Sequence, residues 1–141
     1  MALTVPLVSG ELLMLQYILG LASIKSGFTA STTDGPVIHL FSNNHTPGPN
    51  SVIANLNEVT TPGYAAMTLA SANWAVSQNA GITTAVFSQQ TFTFNTNGIS
   101  FGYYVTNPQG SLLWLEEFSG APFSIPDGGG TIAITLKITL A

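Results

Sequence analysis

Thr131-Ile132-Ala133-Ile134-Thr135-Leu136-Lys137-Ile138-Thr139-Leu140 reads as a β-strand. Ile132, Ile134, Leu136, Ile138 and Leu140 point one way, and Thr131, Ala133, Thr135, Lys137 and Thr139 the other. Side chains of a strand alternate between two faces, so an aliphatic residue at every second position marks one face as buried. The Asp127-Gly128-Gly129-Gly130 punctuation before it reads as a turn.

Working backward, Ile99–Thr106 alternates too. Ile99, Phe101, Tyr103 and Val105 share one face; Ser100, Gly102, Tyr104 and Thr106 share the other. Asn107-Pro108-Gln109-Gly110 is a compact turn, with Pro at its second position and Gly at its fourth. Leu112–Phe118 returns, so residues 99–118 are expected to form a hairpin. Further strands are expected at Val37–Ser42, Tyr64–Leu69, Asn73–Gln78, Thr83–Phe87 and Thr91–Phe94, with a bulge or kink at Ser88-Gln89. Residues 51–59 fit one helical turn. About eight short strands between turn-rich loops predict an all-β chain, a single β-sandwich of jelly-roll type. No internal repeat of fixed period is present.

The first 35 residues read differently. Residues 1–8 alternate loosely around Pro6 and read as an extended arm. Ser9 is a candidate N-cap for a helix over 11–21, followed by a Ser/Thr/Gly-rich loop. Leu12, Leu13, Leu15, Tyr17, Ile18 and Leu19 surround that helix almost completely, whereas a surface helix is apolar along one stripe. Such a helix is expected either between subunits, making these six residues candidate subunit contacts, or capping an open end of the sandwich. The division is therefore 1–35 for arm, helix and loop, and 36–141 for the β-sandwich domain.

Charge is the abnormal quantity. The 141 residues carry eight charged side chains: Glu11, Lys25, Asp34, Glu58, Glu116, Glu117, Asp127 and Lys137. That is 6%, where an ordinary domain has roughly 25%. Disorder does not explain it, because 45% of the residues are hydrophobic. A membrane helix does not either, because the best run, Leu12–Ala22, is interrupted by Gln16 and Gly20 and is shorter than about 20 residues. Residues 1–10 contain no Lys or Arg and so lack the positive region of a signal peptide. Ser, Thr, Asn and Gln supply 45 residues, a surface wettable without ions. It suits packing against neighbours, since burying a neutral amide costs far less than burying an ion. Two Lys, no Arg and a pI near 4.6 exclude a phosphate-binding surface, so no nucleic-acid partner is expected.

Chemistry-bearing groups are sparse. With no Cys and two separated His residues, His39 in a strand and His45 in a loop, no metal or cofactor set is expected. Glu116 and Glu117 are adjacent in a strand, so they face apart and do not make a glycosidase pair. Gly128–Gly130 leads into a strand with no nearby cation and reads as a turn, not a phosphate cradle. Trp74, Trp114, Tyr64, Tyr103 and Tyr104 are the rings available for stacking on a sugar, with core packing or a subunit contact as the alternative. No acid, base and nucleophile assemble, and no enzyme is expected.

Met1-Ala-Leu-Thr-Val-Pro-Leu-Val-Ser-Gly-Glu-Leu-Leu13, Leu40-Phe-Ser-Asn-Asn-His-Thr-Pro47, Gly63-Tyr-Ala65, Phe101-Gly-Tyr-Tyr-Val-Thr106 and Gly128-Gly-Gly-Thr-Ile-Ala-Ile-Thr-Leu-Lys-Ile-Thr139 together resemble small structural proteins of tailed bacteriophages, including cyanophages. The likeness lies in texture and segment order over nearly the whole chain. It implies a virion protein without catalytic residues. One form is a capsid cement or decoration protein, a homotrimer on the outer shell that contacts the major capsid protein. The other is a tail, neck or fibre component. A glycan-binding module is the expectation outside this resemblance.

Overall fold

The computed structural model describes residues 35–108, 110 and 112–140. The strands are β1 (Val37–Phe41), β2 (Met67–Thr68), β3 (Trp74–Asn79), β4 (Ile82–Phe87), β5 (Gln90–Phe94), β6 (Gly98–Ser100), β7 (Gly102–Thr106), β8 (Leu112–Glu117), β9 (Phe123–Ile125), β10 (Gly130–Ile134) and β11 (Lys137–Leu140). Strands hold 49% of the described residues, in several antiparallel sheets with almost no helix. The fold class is all-β, consistent with a β-sandwich, as the alternation predicts. The expected arm, helix and loop, with Leu12, Leu13, Leu15, Tyr17, Ile18 and Leu19, lie outside the described residues.

The described residues form two compact units. The first comprises Gly35, 69–90 and 134–140 and carries a sheet of order β11-β4-β3. Thr83, Ala85 and Phe87 of β4 point inward, as alternation requires, and Phe87 meets Trp74 edge-on at 5.0 Å. Leu69 and Leu136 complete this core. Buried there, the Trp74 Nε1 donor has no hydrogen-bond partner among the described residues. The β3–β4 turn has only Ala80 and Gly81 at its tip, with φ of +50° and +83°. Two positive φ values give a turn whose twist matches the strands, and glycine suits the second position.

The second unit comprises 36–68 and the described residues of 91–133. Its main sheet has the order β2-β1-β7-β8. Ile38 and Leu40 of β1, Val105 of β7 and Phe92 and Phe94 of β5 supply the core. β5 pairs with β10, and β6 with β9. The hairpin expected over 99–118 is present as β7–β8, closed by a bond from the Gly110 N–H to the Asn107 carbonyl at 3.0 Å. Gly102 faces Glu117 on β8 and lies under the Phe41 ring. A Cβ there would collide with that ring and with the Glu116 carbonyl oxygen, so only glycine lets the strands approach this closely.

Several boundaries differ from the sequence reading. The stretch 131–140 is two strands: β10 pairs with β5, then β11 pairs with β4. Its inward face is as expected, since Ile134 and Leu136 are buried while Thr135 and Lys137 are exposed. The break expected at Ser88-Gln89 is where β4 gives way to β5 and the chain changes sheet. Ile99–Thr106 likewise divides at Phe101 into β6 and β7. There the faces also depart from expectation: Ile99 is exposed, Ser100 is fully buried, and all five residues of β7 are buried. The cause is position, because β7 lies between β1 and β8 and is covered on both faces. Only Met67–Thr68 of the expected strand 64–69 pairs, and the helical turn within 51–59 is a 3-10 turn at Ile53–Asn55.

Alanine at φ +50° is strained by contact of its Cβ with the backbone, and asparagine tolerates that region better. Ala80→Asn should therefore raise the unfolding free energy by about 0.5–1 kcal/mol, read from the urea midpoint. A lower midpoint would contradict the turn geometry.

Candidate functional site

Two constructions in the second unit bring separated side chains together. The first covers the free part of β1. Strand β2 pairs only with Val37 and Ile38, leaving the next backbone groups of β1 to find partners. Residues 57–64 supply them. Val59 N–H donates to the Leu40 carbonyl at 3.0 Å, and Ser42 N–H to that of Asn57 at 2.8 Å. Leu40 N–H donates to the Tyr64 hydroxyl at 3.0 Å, and that hydroxyl donates to Glu58 Oε1 at 2.9 Å. The same Glu58 oxygen accepts from His39 Nδ1 at 2.9 Å.

His39 is thus more than an ordinary strand residue. Its ring stacks on Tyr104, its partner across the β1–β7 ladder, at 4.7 Å with planes 7° apart. Its Nε2 lies 3.3 Å from the Thr106 hydroxyl. Hydroxyl, imidazole and carboxylate follow the order of a nucleophilic triad. A triad needs its nucleophile open to substrate, and Thr106 is only 4% exposed. What the arrangement does is fix residues 58–64 on the edge of β1. Glu58 stays accessible, so its pairing with His39 adds little stability by charge alone.

The phenols here are held neutral. Burial raises the Tyr64 pKa well above the usual tyrosine range, and the Glu58 carboxylate adds to this against the opposing Leu40 N–H. Burial likewise raises Tyr103, whose hydroxyl donates to Glu116 Oε2 at 2.7 Å. Tyr104 is pushed up to about 12, by burial first and by Glu58 second.

The second construction is an uncharged cleft. Its near wall is the loop after β1, which neutral side chains staple to itself. Asn43 Nδ2 donates to the Asn55 carbonyl at 2.8 Å, while Asn43 Oδ1 accepts from Asn57 N–H at 2.7 Å. Asn55 Oδ1 accepts from Val52 N–H at 3.0 Å. His45 of this loop is half-buried, with Nε2 2.8 Å from the Ser51 hydroxyl, which also accepts from Gly48 N–H. Fixed in this way, the loop presents Gly48, Pro49, Ser51, Val52 and Ile53 to Leu112–Leu115 of β8 across a space of about 490 Å³. No lining residue is charged. Among the described residues six large apolar side chains are exposed, and Val52 (52%), Ile53 (36%) and Leu113 (37%) are three of them.

The rings weighed for sugar stacking do not share a face. Trp74, Tyr103 and Tyr104 are buried, Tyr64 packs on Phe92 and Phe94, and Trp114 lines the cleft. Tyr103 and Tyr104 are both buried because β7 is covered on both sides. Glu116 is exposed and Glu117 half-buried, as their opposite faces require. Gly128–Gly130 is a turn, with Gly129 N–H bonded to the Pro126 carbonyl at 2.9 Å. Among the described residues no group of three metal-ligating side chains occurs, and no helix is long and apolar enough to cross a membrane. No protein-family model matches the chain, and neither a curated protein nor a solved structure matches it.

Tyr64→Phe removes the acceptor of the Leu40 N–H, whose residue is fully buried. It should cost about 1–3 kcal/mol in urea unfolding, the usual penalty of an orphaned donor. The raised phenol values also set a pH dependence. An acid whose folded pKa lies above its unfolded value binds more protons when folded, so stability falls once the unfolded phenol ionises. Stability should be independent of these tyrosines below about pH 9 and decline from about pH 10 upward. Absorbance at 295 nm should show Tyr64, Tyr103 and Tyr104 ionising with unfolding. Their full ionisation in the native state at pH 11 would contradict the burial.

Proposed function

We propose that this chain is a structural protein of a virus particle, an outer-capsid cement (decoration) protein that clamps neighbouring capsomers. The observation that carries the reading is the uncharged cleft with its exposed Val52, Ile53 and Leu113. The cleft is walled by a loop that Asn43, Ser51 and Asn55 staple to itself. Exposed apolar surface bordered by neutral groups is what a protein that packs against others presents. The near-absence of charge supports the same reading, because contact then requires little ion desolvation. So does the resemblance of its segments to small bacteriophage structural proteins. The acidic pI fits the outside of a shell, away from the genome.

In mechanism, such a protein acts by area. Each square ångström of apolar surface removed from water contributes about 25 cal/mol. Contacts spanning two capsomers add this to the barrier against their separation. The chain supplies no reacting group to this work. A tail, neck or fibre position uses the same surface and differs in copy number.

Quantitative mass spectrometry of purified particles tests the proposal. A ratio near one copy per major capsid protein is the expected outcome for a cement protein. A few copies per particle would assign the chain to the tail, neck or fibres, and absence from particles would overturn the virion reading.

A further inference from the structure

The sheet β2-β1-β7-β8 ends on β8, and among the described residues no strand pairs with its outer edge. That edge is six residues long, and four of them, Leu112 to Leu115, line the uncharged cleft. An open edge of unpaired N–H and C=O groups beside apolar pockets is the acceptor used in strand addition.

We propose that the segment Ala2–Val8 of a second copy of this chain docks there as an added strand. Its pattern fits the site in three ways. Residues 1–10 contain no Lys, Arg or Asp and no Glu, and the cleft lining is uncharged, so docking desolvates no ionised side chain. Seven residues extend about 23 Å at the strand rise, enough to run along β8. Pro6 fixes the orientation. It has no N–H, so at an added strand it faces away from the ladder. Residues of one parity then turn their backbone outward, and Leu3, Val5 and Leu7 bond to β8. Those three also share one side-chain face, which the cleft receives. The all-round apolar stretch Leu12–Leu19 lacks this alternation and fits an edge less well.

A second copy is the source because a strand added there covers Val52, Ile53 and Leu113, apolar side chains that the described residues leave exposed. The inference concerns self-assembly and does not depend on where the assembly resides, so its failure would leave the particle reading intact.

The full-length chain has no Cys, which makes introduced cysteines unique probes. Leu113→Cys is prepared with nitrogen-15 and mixed with unlabelled Leu3→Cys, Val5→Cys, Leu7→Cys or Thr4→Cys, then oxidised. The expected result is a disulfide between labelled and unlabelled chains at one or more of positions 3, 5 and 7, with little at position 4. No such bond would overturn the proposal, as would equal bonding at position 4. The double variant Val5→Cys/Leu113→Cys tests the same chain as donor, and a bond only within one chain would also overturn it. Separately, Leu113→Asp should weaken self-association about tenfold or more by sedimentation, equivalent to about 1.4 kcal/mol. Unchanged association would count against it.

Discussion

Everything in the second unit depends on how the backbone of β1 is satisfied beyond Ile38. A strand pairs along both edges, and β2 gives β1 only two residues of partner. The remaining groups are covered by residues 57–64, and the Tyr64 hydroxyl completes the accounting by accepting from Leu40 N–H. That single oxygen also donates to Glu58, which holds His39, which stacks on Tyr104 of β7. One satisfied edge thereby ties a loop to two strands. Lysine, proline and bulges are the usual protection of an edge. Here a folded-over segment and a phenol take that role, in a chain with two cations in all.

The same economy of charge explains the loop that walls the cleft. Asn43, Asn55 and Ser51 hold it through neutral bonds, each contributing about 1 kcal/mol net. Ionised staples in these partly buried positions would lose much of their Coulomb gain to desolvation. Neutral staples also leave no field around the cleft. A partner then meets shape, apolar side chains and neutral polar groups, which suits packing better than steering of a charged ligand.

What was legible in the sequence follows from what each signal reports. Alternation reports which side of a strand is buried, and for 131–140 that face was correctly indicated. It does not report the partner, so the change of sheet between Ile134 and Lys137 left no mark. The Asn107–Gly110 turn was legible because turn chemistry is local. Ile99–Thr106 misled because aromatic and small residues alternate there while β7 is buried on both faces. The sites were least legible. His39 and Glu58 are 19 positions apart, and His39 and Thr106 are 67 apart. The loop after β1 is held by side chains near in sequence, yet nothing in it named Leu112–Leu115 as the opposite wall. The stretch that most strongly suggested subunit contact, Leu12–Leu19, lies outside the described residues, so the proposed contact is argued from the cleft instead.

β8, whose outer edge no strand pairs among the described residues, carries a sequence that favours one register. Its first four residues, Leu112-Leu113-Trp114-Leu115, line the cleft, and its last two are Glu116 and Glu117. Flat hydrophobic edges pair indiscriminately, and charge at one end limits how far a foreign strand can slide along them. Glu116 is further held by the Tyr103 hydroxyl at 2.7 Å, so one carboxylate of the pair is fixed in place. A strand approaching this edge finds apolar contact over four residues and a cost over the next two. Two of the six acidic side chains of the chain stand at this end of β8, where they turn an aggregation-prone edge into one with a preferred register.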